Sequence, residues 1–297
     1  MQSRNYFCKI KIKLVRMDSK EWHQVIVPKR SFLQIDLKEI WRYRDLISLF
    51  IRRDFVANYK QTVLGPIWFF IQPLLTTLIF VVIFFRVAGL STDGVPPILF
   101  YLSGLALWNY FSDCFTKTAD TFKANEQIFG KVYFPRLVVP ISIVLSNLVK
   151  FGIQFLLFFV AFIYFYATGK QVEPNMHLLL FPVIVLVMAA FSLGCGLIIS
   201  SLTTKYRDLY YLLTFGVQLL MYATPVIYPI SMVSEKYRGW LMLNPLSSMI
   251  EAFKFGFLGQ GYFSWFYLGY SLLVTIVVLL LGVLIFNRTE QNFMDTI

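Results

Sequence analysis

The sequence has few charged residues and almost no histidine. Only 14% of its 297 residues are Asp, Glu, Lys or Arg, whereas 58% are hydrophobic and 18% are aromatic. A water-soluble domain usually contains about 25% charged residues, so this composition excludes an ordinary soluble protein. The two histidines, His23 and His177, are far apart in the sequence and form no metal-binding pattern. Acidic residues are scattered singly, and we therefore predict neither a metal site nor catalytic residues.

A disulfide framework and a nucleotide-binding loop are also missing. Cys8, Cys114 and Cys195 have the spacing of neither a metal site nor a disulfide scaffold, so we expect free thiols. The pair Gly130-Lys131 does not follow the glycine-rich loop that binds phosphate in P-loop proteins. We therefore expect this chain to bind no cofactor of its own.

Long apolar runs make up most of the sequence after residue 63. A run of about 20 apolar residues crosses a hydrocarbon core of about 30 Å. Six candidate spans of about this length follow a charged segment that has no signal-peptide pattern; they are 64–85, 97–115, 141–167, 178–201, 209–230 and 265–286. The second is the shortest and contains Asn109 and Asp113. The pattern predicts an all-α integral membrane protein with six transmembrane helices within a membrane domain of residues 61–297.

The distribution of basic residues predicts the orientation of these spans. Basic residues concentrate in cytoplasmic loops, and 14 of the 27 Lys and Arg residues lie within residues 1–63. The loops that would be extracytoplasmic contain only Arg86, Lys170, Lys236, Arg238 and Lys254. We predict that both termini are cytoplasmic. The net charge of +11 then reflects membrane topology, and no nucleic-acid partner is expected.

The residues before the first span divide into two parts. Residues 1–35 are basic and irregular, and we assign them no chemistry. Residues 36–60 repeat apolar side chains at helical spacing among arginines, which predicts an amphipathic interface helix. Such a helix lies on the inner leaflet with its apolar face in the headgroup region. Packing on another cytoplasmic subunit is the alternative.

The segment between the fifth and sixth spans, residues 231–264, is too long for a hairpin and partly apolar. A seventh span would bury Glu251 and Lys254 near its centre, each at a cost of roughly 2.5–3.5 kcal/mol. We therefore predict re-entrant extracytoplasmic helices, one of which begins at Asn244-Pro245. The crossing segment remains the competing interpretation.

Two groups of residues inside the spans are open to two interpretations. Asp113 and Lys150 are intramembrane ionisable residues, which are candidates for function, but both lie near a predicted cytoplasmic end, where snorkelling is an adequate explanation. Ser192, Gly196 and Ser200 recur every four residues in the fourth span. Small residues at this spacing predict close helix packing.

A family resemblance rests on three stretches of sequence. The first marks the point where the chain first enters the membrane, and its residues are Arg53, Asp54, Tyr59, Lys60, Thr62, Leu64, Gly65, Trp68 and Pro73. The second runs from Tyr206 to Pro229, and the third from Asn244 to Gly259. Together they resemble the permease subunits of type-2 ABC exporters, above all those that export polysaccharides such as O-antigen, capsule or teichoic acid.

The resemblance implies a set of partners. It implies a homodimer around a central channel, two copies of a separate P-loop ATPase that binds ATP and Mg, membrane lipids, and a lipid-linked polysaccharide substrate. The location would be the inner membrane of a bacterium. A small-lipid or drug exporter of the same superfamily and a membrane-bound sugar-modifying enzyme are the alternatives.

The resemblance also implies roles for particular residues. The loop 116–140 would carry the helix that couples to the ATPase, with Glu126, Lys131 and Arg136 at that interface; an ordinary basic loop is the alternative. The gate helices would include Asn244, Pro245, Glu251 and Lys254. Because aromatic rings stack on sugars, candidate channel-lining residues are Trp68, Phe69, Tyr222 and Tyr228, although each of them alone also fits lipid contact or core packing.

Overall fold

A computed structural model describes residues 37–59, 65–132, 134–169, 172–206 and 208–293. This described part is helical and contains no β-strand. Its α-helices are α1 Leu37–Arg42, α2 Arg44–Tyr59, α3 Trp68–Phe80, α4 Pro97–Ala119, α5 Thr121–Ala124, α6 Glu126–Phe129, α7 Val138–Ala167, α8 Phe181–Thr203, α9 Leu209–Tyr222, α10 Glu235–Met242, α11 Pro245–Leu258 and α12 Trp265–Phe293. The predicted segment 1–35 and Lys60 lie outside the described residues.

Among the described residues, four helical stretches are long and apolar enough to cross a membrane: Trp68–Val87, Val138–Ala167, Met176–Thr203 and Trp265–Glu290. They correspond to the predicted first, third, fourth and sixth spans. In the first of them, only 11% of the most apolar window is buried within the chain. Its side chains therefore face outward, as those of a helix in contact with lipid do. The described chain is a multi-pass membrane protein by the length and composition of these helices.

The predicted second and fifth spans differ from these four for separate reasons. Helix α4 has 23 residues, and thus a length of about 34 Å, but polar residues such as Asn109 and Asp113 lower its hydropathy. Nearly every side chain of its first half is buried inside the protein. Helix α9 is apolar but has only 14 residues, or about 21 Å. A count of six spans therefore remains a prediction.

Helix α11 lies inside the protein, although it follows two short helices of the fifth-to-sixth segment. Of its 14 residues, only Pro245 and Phe255 are not buried. It packs against α4, α8 and α12. At about 21 Å, it is too short to cross a bilayer, and the seventh span considered as an alternative is not among the four spanning stretches of the described chain.

Glycine allows α8 and α12 to touch through their backbones. A Cβ atom added to Gly282 would lie 2.5 Å from the carbonyl oxygen of Gly194, and one added to Gly194 would lie 2.8 Å from the backbone of Leu279. In the small-residue stripe, a Cβ on Gly196 would lie 2.5 Å from Thr118 of α4, and Ser192 and Ser200 are both fully buried. The predicted role of this stripe in helix packing is confirmed.

The predicted amphipathic helix 36–60 is observed as two helices separated by a turn at Tyr43. Their apolar side chains face two directions. Phe50 is only 4% exposed and packs on the protein's own Phe134, with the ring centroids 6.0 Å apart. Trp41 and Leu49 are 70% and 59% exposed. One face is thus covered within the chain, and the other is left for lipid or a second protein.

A second apolar core surrounds Phe50, apart from the core of the membrane helices. It joins α2, the loop after α4, the start of α7 and the end of α12. Its rings are those of Phe50, Phe122, Phe129, Phe134 and Phe286. Phe122 stacks on Phe286, with the ring centroids 4.7 Å apart. We refer to this group as the phenylalanine cluster.

Candidate functional site

The described residues of the motif at the first membrane crossing lie in α2, in the turn before α3 and in α3 itself, whereas Lys60, Thr62 and Leu64 lie outside the described residues. Arg53 donates two hydrogen bonds to Asp54 Oδ1, of 2.9 and 2.8 Å, and its guanidinium lies 4.8 Å from the ring centroid of Phe50. Gly65 has a φ angle of +51°, a left-handed conformation that favours glycine, and it starts the 3₁₀ turn Gly65–Ile67 that leads into α3. Pro73 is buried inside α3.

The four candidate channel-lining residues fall into two pairs. Trp68, the first residue of α3, is 45% exposed, and Tyr222, the last residue of α9, is 62% exposed. Phe69 instead packs against Phe55 of α2, with the ring centroids 5.8 Å apart. Tyr228 donates a hydrogen bond from its hydroxyl to the carbonyl of Tyr222 at 3.1 Å. In this chain, Trp68 and Tyr222 are therefore the two that present a ring to the outside.

The loop 116–140 holds the short helices α5 and α6. Their apolar side chains, Phe122 and Phe129, are buried in the phenylalanine cluster, which fixes the opposite side of each helix outward. Glu126 and Lys131 are exposed on that outer side. The loop is thus a folded platform attached to α2 and α12, with charges on its outer surface.

Arg136 occupies a different place from the other two residues predicted at this surface. It is only 5% exposed, and its Nη1 donates a hydrogen bond to the carbonyl of Glu290 in α12 at 3.3 Å. Its Nε lies 3.9 Å from the Glu290 carboxylate, and the ring centroid of Phe129 is 5.3 Å away. Burial lowers the pKa of the guanidinium, and the Glu290 carboxylate opposes that effect. Arg136 therefore connects the loop to the last helix.

Asn244 and Pro245 form the start of α11 as their sequence predicts. The Asn244 side chain accepts a hydrogen bond from the amide of Leu246 at 3.1 Å, which satisfies one of the free amides of a helix start. Pro245 occupies the first turn, where its missing N–H costs nothing. The amide group of Asn244 also donates to Thr224 Oγ1 at 3.0 Å. This bond links α11 to the turn that follows α9.

Glu251 and Lys254 are each 1% exposed and lie one turn apart on α11. Lys254 Nζ donates a hydrogen bond to the Pro225 carbonyl at 2.6 Å and lies 3.8 Å from Glu251 Oε1. The Phe100 ring centroid is also 3.8 Å from this ammonium group. Glu251 Oε2 accepts a hydrogen bond from the amide of Tyr262 at 3.0 Å. Each charged side chain thus binds a backbone group outside α11: Lys254 binds the carbonyl of Pro225, and Glu251 binds the amide of Tyr262.

The partners of this pair are a part of the site that the sequence did not reveal. Pro225 and Phe100 are distant from Lys254 in sequence and carry no charge. The available signal was indirect: two opposite charges three residues apart in an apolar helix require compensating contacts. That signal predicts a compensated pair, but only the fold shows which carbonyl accepts from the lysine.

Asp113 and Lys150 form an ion pair between α4 and α7, with Lys150 Nζ 2.5 Å from Asp113 Oδ2. One turn further along, Lys117 donates a hydrogen bond to Asn147 Oδ1 at 3.0 Å. The side chains of Asp113 and Lys150 are about a quarter exposed, at 29% and 26%. Each residue therefore has a structural partner, and neither stands alone in the membrane domain.

Cys114 and Cys195 are free thiols, whereas Cys8 lies outside the described residues. No group of His, Cys, Asp and Glu side chains in the described ranges has the arrangement of a metal site. The described residues do contain helix junctions that are held by buried polar contacts. They also leave Glu126 and Lys131 of the loop 116–140 exposed, together with Trp68 and Tyr222.

Comparison with known proteins identifies the family of this chain. The profile of the ABC-2 type transporter family matches residues 45–258, which include α2 except its first residue, the loop 116–140 and α11. This chain belongs to the ABC-2 type transporter family. The family resemblance carried by the three stretches of sequence is thereby confirmed, and the chain is a membrane transport subunit.

Individual ABC-2 relatives cover most of the chain. The O-antigen export system permease protein RfbA of Klebsiella pneumoniae is 30% identical over 255 residues, which are 84% of this chain and 94% of that protein. The protein of the same name from Myxococcus xanthus is 31% identical over 73% of this chain and 82% of its own length. The capsule polysaccharide export inner-membrane protein CtrC of Neisseria meningitidis serogroup A is 23% identical, and the match covers 89% of this chain and 97% of that protein.

Proposed function

We propose that this ABC-2 subunit exports a surface polysaccharide, of the O-antigen or capsule class, across the inner membrane of a bacterium. The observation that carries the proposal is the similarity to the RfbA proteins, which extends over 94% of the Klebsiella protein and 82% of the Myxococcus protein. The match to CtrC, a capsule export protein, supports the same substrate class. The exposed aromatic rings of Trp68 and Tyr222 fit a polymer, since flat rings contact sugar faces without binding a single unit tightly.

We infer the finer points of the mechanism from the family and the fold together. Two copies of the chain form the channel, and two copies of a separate P-loop ATPase bind ATP and Mg on the cytoplasmic side. The substrate is a polysaccharide linked to a lipid carrier. The basic residues concentrated before the first span support cytoplasmic termini.

The proposed topology has six crossings, two of which depend on packing within the protein. Helix α4 is long enough to cross, and its polar residues are tolerated because neighbouring helices surround it. Helix α9 is extended by the turns at residues 223–229, where Thr224, Pro225 and Val226 are buried. Non-helical backbone is tolerated at membrane depth only where protein covers it. The contacts of Lys254 and Asn244 to this turn supply that cover.

The platform of α5 and α6 is proposed as the surface that receives motion from the ATPase. Its outer side presents Glu126 and Lys131, and its inner side is joined through the phenylalanine cluster to α2, α7 and α12. When the ATPases close on ATP, they push this platform, and the attached helices open the channel. Arg136 takes part in transmitting this motion, because its buried side chain connects the loop to Glu290 of α12.

Two measurements test the proposal. The tagged full-length chain, extracted from its native membrane in mild detergent, should co-purify with an equimolar P-loop ATPase, identified by mass spectrometry. Deletion of its gene should remove one surface polysaccharide and leave that glycan inside the cell on its lipid carrier. A deletion strain with normal surface glycans would contradict the proposed substrate, and an intact dimer that brings down no ATPase would contradict the proposed energy source.

A further inference from the structure

A groove of about 700 Å³ opens beside the end of the first spanning helix that is distant from α2. Its size lies within the range of about 300–1,000 Å³ that is usual for small-molecule sites. Its walls come from the last turns of that helix, the loop 91–96, the start of α4 and the end of α7. The residues that matter below are Phe85, Arg86, Ser91, Ile98 and Phe165.

The groove has a positive charge and no described acid to balance it. Arg86 is the only charged side chain among the described residues that line it, and it is exposed. The nearest acid in sequence, Asp93, points elsewhere: both of its carboxylate oxygens accept from Ser231 Oγ at 2.8 Å. Ser91 Oγ accepts from the amide of Asp93 at 3.0 Å, and its own hydrogen is left to donate. An anion in the groove would meet these two donors.

The other walls of the groove are apolar. Phe85, Ile98 and Phe165 are half-buried and belong to three different helical segments. Arg86 is the second-last residue of the 20-residue stretch Trp68–Val87, which is about as long as the bilayer is thick. A spanning stretch of this length puts its last residues, Arg86 among them, near the boundary between lipid phosphates and acyl chains, and the three apolar side chains lie beside it in the groove.

The local helix geometry sets this arrangement apart from an ordinary helix end. Residues Val81–Val87 form a π-helix, and the amide of Ala88 reaches back to the carbonyl of Ile83 at 2.8 Å. π-helical turns are rare in proteins, and many of those that do occur lie at functional sites. The wider turn changes the direction in which Phe85 and Arg86 leave the helix, relative to a continued α-helix.

We propose that this groove binds a phospholipid with a net negative headgroup, taken from the leaflet on the side opposite α2. Arg86 and the Ser91 hydroxyl bind the phosphate, and Phe85, Ile98 and Phe165 contact the first part of the acyl chains. An anionic amphiphile is the ligand class that matches one cation set above an apolar wall. The site is separate from the platform, the turn after α9 and the candidate channel residues, and it does not depend on the identity of the exported molecule.

The test is lipid binding by the purified full-length chain. The delipidated protein in detergent is titrated with phosphatidylglycerol, which is anionic, or phosphatidylethanolamine, which is zwitterionic, and bound lipid is counted by native mass spectrometry. Arg86→Gln should weaken phosphatidylglycerol binding about tenfold, the usual effect of losing a charged hydrogen bond. Lys236→Gln, which removes an exposed cation on α10, is the matched control and should leave binding unchanged.

A second variant keeps the test decisive if Arg86→Gln does not fold. Ser91 is exposed in a loop, and Ser91→Glu places a negative charge beside Arg86, so the same loss is expected. Equal binding of the two lipids by the natural chain, or natural phosphatidylglycerol binding by a folded Arg86→Gln or Ser91→Glu protein, would overturn the proposal. Displacement of the lipid by glycerol phosphate alone would also overturn it, because a headgroup without acyl chains would then suffice.

Discussion

The ammonium group of Lys254 donates a hydrogen bond to the backbone carbonyl of Pro225 at 2.6 Å. The donor lies on α11, and the acceptor lies in the turn where α9 has stopped being helical. A carbonyl at that position has no helical partner, so a charged side chain takes the place of a backbone amide. The Glu251 carboxylate, 3.8 Å away, compensates the buried charge.

Removal of this lysine should destabilise the protein strongly. Lys254→Met leaves the Pro225 carbonyl and the Glu251 carboxylate buried without their partner, which should lower the free energy of unfolding by about 3–5 kcal/mol. The thermal midpoint in detergent measures this effect. Lys236→Met, at an exposed position on α10, should change stability by no more than about 0.5 kcal/mol. The double variant Lys254→Met, Glu251→Gln should be less damaged than Lys254→Met alone, and an equal or larger loss would show that the charge pair does not matter.

The contact of α8 with α12 should tolerate no added methyl group. Gly282→Ala would place a Cβ 2.5 Å from the Gly194 carbonyl, so the helices must separate, at a cost of about 1–3 kcal/mol for overpacking. Gly269 lies in the same helix with open space around it. Gly269→Ala should be neutral or stabilising by up to about 1 kcal/mol. Thermal midpoints for the two variants compare the positions directly, and equal midpoints would contradict the backbone contact.

Exposed and buried charges of the loop 116–140 should separate function from stability. Lys131→Glu should weaken association with the proposed ATPase and leave the thermal midpoint unchanged, because Lys131 is exposed. Arg136→Gln should lower the free energy of unfolding by about 2 kcal/mol, since a buried charged hydrogen bond to Glu290 is lost. Co-purification of the ATPase and thermal unfolding are measured on both variants. A loss of stability in Lys131→Glu, or none in Arg136→Gln, would contradict the assignment of a surface contact to Lys131 and of a structural role to Arg136.

Gly65 should be replaceable by asparagine more readily than by alanine. Its φ of +51° costs an alanine about 1–2 kcal/mol, whereas asparagine tolerates this conformation better. Apart from its chain neighbours, no atom of the described residues lies within 4 Å of an added Cβ, so we expect a conformational effect. Gly216→Ala in α9, a glycine with ordinary φ and equally open surroundings, serves as the control. Equal thermal midpoints for Gly65→Ala and Gly65→Asn would contradict this explanation.

Sequence patterns predicted the parts of this fold that depend on local chemistry. The apolar runs at 141–167 and 265–286 gave helices near those bounds because twenty apolar residues leave few alternatives in a membrane. Asn244-Pro245 gave a helix start because a cap needs only its own neighbours. The small-residue stripe gave a packing face for the same reason, since Gly196 permits close approach whichever helix arrives.

The parts that depend on which elements meet were beyond the sequence. Arg136 and Lys131 are both basic loop residues, yet one is buried against Glu290 and the other is exposed, because α12 returns to one side of the loop. Phe69 and Trp68 are adjacent aromatic residues, and only Phe69 packs on Phe55. The break at Tyr43 and the end of α9 at Tyr222 were likewise not predicted, although Pro225 lies close enough to α9 to end a helix.

The phenylalanine cluster is built from residues that are synthesised at different times, so it can be completed only late in translation. Phe50 and Phe122 leave the ribosome early, but Phe286, which stacks on Phe122 at 4.7 Å, belongs to the last described helix. Until α12 has been synthesised and inserted, Phe122 lacks this partner and one side of the cluster is uncovered. A chain that stops before Trp265 therefore leaves aromatic surface of its platform uncovered, and the platform is complete only when the last described helix is in place.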